Sequence, residues 1–132
     1  MVDALRHAHE AVTPGGCVLD LHPSTHVPSV EANGAVLGHV VSADGRERHA
    51  AASRAIETVV AAGLFERAQT AEFTFLTHGD SVEELRNYVL ESWRSAHIPD
   101  SIQEAGRAVI RERIWVTKLL PRALETLYNR GQ

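Results

Sequence analysis

A proline followed by two glycines, Pro14-Gly15-Gly16, stands between an amphipathic stretch and an apolar run. A helix, a tight turn and a strand are the arrangement that satisfies all three at once. Leu5, Ala8, Ala11 and Val12 fall at helical spacing over residues 2 to 12, with Arg6, His7 and Glu10 left to face water. Pro14 cannot continue that helix, and a following glycine supplies the positive φ that ends it. Cys17, Val18, Leu19 and Leu21 then form a nearly continuous apolar run. Such a run predicts a strand covered on both faces, with Cys17 a buried and inert thiol.

The remaining punctuation is equally local. Beyond His22-Pro23 and a loop containing Ser24, Thr25, Pro28 and Ser29, the Asn33-Gly34 pair predicts a two-stranded excursion over residues 27 to 32 and 35 to 42. Asp44 and Glu47 resemble a capping box that opens a helix carrying Ala52, Ile56, Val59, Val60 and Gly63 on one face, stopped at Gly63-Leu64. Residues 65 to 78 alternate, with Ala71, Phe73, Phe75 and Thr77 on one side and Glu72, Thr74, Leu76 and His78 on the other. That is strand periodicity. Ser81 with Glu84 and Ser101 with Glu104 read as two further capping boxes, which predicts a helical hairpin between Ser81 and Arg111 joined through His97 to Asp100. A β-rich segment from Arg113 to Leu120 is stopped by Pro121, and a short helical tail is expected from Arg122 to Tyr128.

With 132 residues and 44% apolar content, one domain with a core is the default, here residues 1 to 132 with 81 to 111 as an insert. The net charge of −4 is dispersed, with no basic stripe, so a nucleic-acid partner is not expected. One cysteine excludes an intramolecular disulfide. No segment reads as a signal peptide or membrane span, which predicts a cytoplasmic chain with no membrane partner.

The helix, the Pro-Gly-Gly turn and the Val18-Leu19-Asp20-Leu21-His22-Pro23 stretch resemble the late helix, turn and fifth strand of the class I S-adenosylmethionine-dependent methyltransferases. The order of the later elements is similar to that family's C-terminal part, where the sixth and seventh strands form an antiparallel pair at the end of the sheet. The resemblance implies an α/β fold class, here a mixed α+β fragment: the C-terminal part of a Rossmann-like sheet with a terminal antiparallel strand pair and a helical insert. It also implies that the family's cofactor-binding half, with a Gly-rich turn and a ribose-holding acid, belongs upstream. No Gly-x-Gly loop occurs in these 132 residues, so the family's S-adenosylmethionine is not expected to bind this chain alone, and no cofactor-binding residue carries over.

By the same resemblance, the fifth-strand end and the loop after it contribute to the acceptor pocket. Open α/β sheets generally present ligand-contacting groups at such strand ends. His22, His26 and Glu31 are therefore candidate substrate contacts, with His78 lining the same pocket if the sheet closes as the family implies. The plainer alternative has Asp20 pairing locally, His22 a partly buried neighbour of Pro23, and His78 a solvated strand end. No metal site is expected: His7 and His9 point to different faces of a helix, and His22 and His26 span a proline-containing loop without a cysteine partner. Tyr88, Trp93 and Trp115 are expected in core or interface packing, and no Gly-x-Ser-x-Gly elbow supports a hydrolase.

The residues leave three functions open, and no catalytic residue is assigned. The first is a truncated or split methyltransferase, a transferase inactive without a complementary cofactor-binding half. The second is a non-catalytic interaction domain that forms a homodimer through the orphan edge of the first strand. The third is an unrelated α+β domain that binds a small-molecule substrate under a lid.

Overall fold

The Pro-Gly-Gly break acts where its chemistry places it. In the computed structural model, which describes residues 1 to 123, helix α1 (Val2–Ala11) ends at Val12, whose extended backbone still donates its N–H to the Ala8 carbonyl. Gly16 donates to the Thr13 carbonyl at 2.9 Å, closing the turn into β1 (Val18–Pro23). The next turn is as well specified. Strands β2 (Ser29–Ala32) and β3 (Ala35–His39) are antiparallel, with Ala32 opposite Ala35. Both residues between them have positive φ, 53° at Asn33 and 75° at Gly34, the geometry of a type I′ hairpin turn.

Strand β4 (Val41–Ser42) leads to α2 (Gly45–Ala61), which closes with Gly63 N–H on the Val60 carbonyl and Leu64 N–H on the Val59 carbonyl, a Schellman pattern. Then follow β5 (Phe65–Gly79), α3 (Val82–Ser92), β6 (Ala96–His97) and β7 (Ala108–Pro121). The molecule is mixed α+β. The main sheet runs β1-β7-β2-β3, with β5 also paired to β7, and β4 with β6 forms a separate antiparallel pair. Strand β2 meets β7 antiparallel, Ser29 opposite Arg111 and Glu31 opposite Val109.

Two compact units divide the described residues, with boundaries at the last residue of β1 and inside α2, β5 and β7. In the unit holding α1, β1, most of α2 and the later half of β7, Leu5, Ile56, Val59, Phe65 and Leu119 form the core. The unit holding β2, β3, α3 and the earlier half of β7 buries Val30, Val82, Leu85, Val89, Ile98 and Ile110 together. Gly79 belongs here: a Cβ on it would stand 2.7 Å from Leu85 Cγ, so only glycine lets β5 end this close to α3.

Three expectations are corrected. Strand β1 is covered on one face only: Val18, Asp20 and His22 are half-buried, whereas Leu19 and Leu21 are more than half exposed and Cys17 is exposed. No described residue covers the face that carries Leu19 and Leu21, and β1 is also an edge strand, paired with β7 alone. The excursion strand β2 is part of the main sheet, because β7 begins at Ala108 and offers it a partner. Residues 65 to 78 form a strand as their alternation predicts, with Phe73 and Phe75 exposed on one side and Leu76 on the other. The second helix of the expected hairpin does not form. Its capping acid is used elsewhere. Glu104 accepts from Val82 and Glu83 N–H at 2.9 and 3.2 Å, and from Ala105 and Gly106 N–H, so it satisfies the amides of α3 instead of starting a helix of its own. Most of the expected tail, residues 124 to 128, lies outside the described residues.

The Ser81 cap is realised, its hydroxyl accepting from Glu84 N–H at 3.0 Å, while the Glu84 carboxylate reaches back to Asp80 N–H. Arg86 on α3 pins the segment after β6, donating to the carbonyls of Ile98, Pro99 and Ile102 and to the Glu83 carboxylate. Replacing it orphans three carbonyls, so R86A is expected to cost about 2 to 3 kcal/mol in chemical denaturation. The amides of Val82 and Glu83 hold the Glu104 carboxyl below its ordinary value of 4.5. Because the folded pKa is depressed, this stabilisation is present above the unfolded value and is lost as pH falls through the folded one. E104Q should therefore unfold more readily than the wild type near neutrality, and the difference should close in acid.

Candidate functional site

Alternation along β1 puts Asp20 and His22 on the same face, two residues apart, and the side chains meet. His22 Nδ1–H donates to Asp20 Oδ2 at 2.6 Å, with the side chains 11% and 10% exposed. A carboxylate can only accept, so the proton sits on Nδ1 in the neutral ring and Nε2 carries the lone pair. The His49 ring packs beside it, centroids 5.1 Å apart and tilted by 54°. A carboxylate that fixes the tautomer of a histidine aims Nε2 as a proton acceptor, the arrangement that general-base chemistry requires.

The other three candidates lie in the second unit. Glu31, on β2, faces β7: its Oε2 accepts from Ser29 Oγ at 2.7 Å and from Arg111 Nε at 2.8 Å. The Ser29 hydroxyl and then the Arg111 guanidinium hold its carboxyl below the ordinary 4.5. Glu31 and Arg111 border two open clefts. One, of about 440 Å³, is lined also by His78, Asp80, Glu84 and Arg107. The other, of about 360 Å³, is lined also by His26, Ser29, His39 and Arg113, with Val27 and Val36 as its apolar part. So the fold brings Glu31 together with His78 in one cleft and with His26 in the other.

His26 is held from two sides. Its backbone N–H donates to Ser24 Oγ, and Ser24 N–H donates to the Arg113 carbonyl at 2.8 Å, which ties the loop to β7. Arg113 Nη1–H then donates to His26 Nε2 at 2.9 Å. Arginine has no acceptor, so His26 is neutral in this arrangement with its proton on Nδ1.

Sequence reading missed the two arginines. Strand β7 begins earlier than expected, and its alternation sets Arg111 and Arg113 on the face opposite Ala108 and Ile110. The signal was the Val109-Ile110 pair, read there as helix. Glu112, on the core side of β7, is half-buried with no hydrogen-bond or ion-pair partner among the described residues, and burial pushes its carboxyl up. A raised folded pKa contributes stability below the unfolded value that is lost as pH rises through the folded one. E112Q is thus expected to match the wild type in melting temperature at about pH 3 and to exceed it at about pH 7.

His9 is structural: its Nε2–H donates to the Arg122 carbonyl at 3.0 Å, and its ring meets Phe65 edge-on. Trp93 packs against a core as expected, while Tyr88 is exposed. Among the described residues no set of three His, Cys, Asp or Glu side chains is placed to hold a metal ion, and no helix is long and apolar enough to cross a membrane.

The Asp20 contact gives a direct spectroscopic expectation. In 15N-resolved spectra the neutral His22 ring should be the Nδ1–H tautomer, and D20A should shift it toward Nε2–H; an unchanged tautomer in D20A means that Asp20 does not orient the ring. Comparisons with protein-family profiles, with curated proteins and with solved structures returned no match.

Proposed function

We propose that this chain is the substrate-side portion of a class I methyltransferase, which transfers a methyl group only when a Gly-rich half supplies the S-adenosylmethionine site. The observation that carries the reading is the pairing of the late strands β5 and β7 beside β1, which follows the Pro-Gly-Gly turn. The Asp20–His22 pair on β1 adds a group suited to accept a proton from a methyl acceptor. Nothing within the 132 residues supplies a glycine loop on which the donor could rest, so the donor sulfonium must be positioned by another chain or segment. A dimerisation role is the second reading, favoured by the exposed Leu19 and Leu21 on a strand with one unpaired edge.

Calorimetry tests the first reading. The purified chain alone is expected to take up no S-adenosylmethionine, and the chain mixed with the Gly-rich half of a class I methyltransferase is expected to bind it. A mixed pair that forms in sedimentation but gives no heat with the cofactor overturns the reading, as does micromolar binding by the chain alone.

A further inference from the structure

Arg111 is an arginine whose position is fixed and whose recognition edge is unused. Its Nε–H is taken by Glu31, and Glu31 is in turn held by the Ser29 hydroxyl. Among the described residues its two terminal nitrogens have no protein partner. Those nitrogens present a planar pair of N–H donors, which matches the two oxygens of a carboxylate or phosphate. The side chain is about half exposed, 47%, so a ligand can reach it.

We propose that Arg111 is the anchor of a binding site for a small apolar carboxylate, seated in the cleft of about 360 Å³ with His26, His39 and Arg113. Arg113 stands on the same strand two residues from the anchor and lines the cleft with it. Glu31 sits on the same guanidinium that receives the ligand, and this selects a monoanion over a doubly charged phosphate, which Glu31 would repel more strongly. Val27 and Val36, 56% and 59% exposed, give the body of the ligand an apolar surface beside the anchor. Fixing the guanidinium through Glu31 also removes part of the ordering cost that a loose arginine would impose on binding. Such a site requires no cofactor and no partner, and so stands apart from the methyl-transfer reading.

The test uses the full chain, with benzoate as probe, benzamide as its neutral counterpart and inorganic phosphate as the rival anion. Benzoate should give saturable NMR shifts at the Arg111 side chain, His26 and His39. R111Q and R111K should each weaken it by about tenfold or more, the first losing the charge and the second only the fork. R46Q, an equal change of charge outside the cleft, should leave binding unchanged. The proposal is overturned by any of four results: no saturation, equal benzoate binding in R111Q, benzamide binding as well as benzoate, or phosphate displacing benzoate at lower concentration than benzoate itself requires.

Discussion

Everything in the main sheet hangs on β7. It is the strand to which β1, β2 and β5 are all hydrogen-bonded, and it contributes Ile110 to one core and Leu119 to the other. Its sequence suits that position: Ala108 and Ile110 are buried with Arg111 and Arg113 on the face opposite them, and Thr117 and Leu119 are buried farther along the strand. A strand paired along its length has its backbone polar groups satisfied, so it tolerates burial that an edge strand does not. The hairpin turn at Asn33-Gly34 and the Glu104 and Arg86 contacts then set what lies against it in the second unit.

Local punctuation in the sequence was legible wherever one short-range interaction decides the outcome. The Pro-Gly-Gly turn, the Asn33-Gly34 hairpin, the Gly63 stop of α2 and the Ser81 cap of α3 all appear where the residues place them. What misled was competition from far along the chain. Ser101 and Glu104 have the spacing of a capping box, yet the Glu104 carboxylate gains more from four amides, two of them more than twenty residues away. The apolar run after Cys17 has the composition of a doubly covered strand, but coverage depends on neighbours that composition cannot specify.

The candidate residues divide in the same way. Asp20 and His22 meet because a strand has a period of two, a rule readable from the sequence, although their contact was treated as the plainer alternative. Glu31, His26 and His78 were chosen as loop and strand-end residues, and the fold gathers them around Arg111 and Arg113, which sequence reading had not singled out. Their pairing with Glu31 and His26 is set by the β2–β7 register and by the Ser24 bond to β7, neither of which has a short-range signal.

The central position of β7 also orders events in time. Its three sheet partners all precede it in the chain, and β1 stands near the opposite end, so a ribosome releases β1, β2 and β5 before the strand that unites them exists. The β2–β3 hairpin can close on its own residues, but β1 and the fifteen-residue β5 must wait with their backbone edges open. Folding of this sheet is therefore dominated by contacts distant in sequence, which are slow to form. During that interval the open edges of β1 and β5 lie beside Leu19, Leu21, Phe73 and Phe75, the combination of unpaired strand and apolar surface that makes a partly folded chain prone to aggregate.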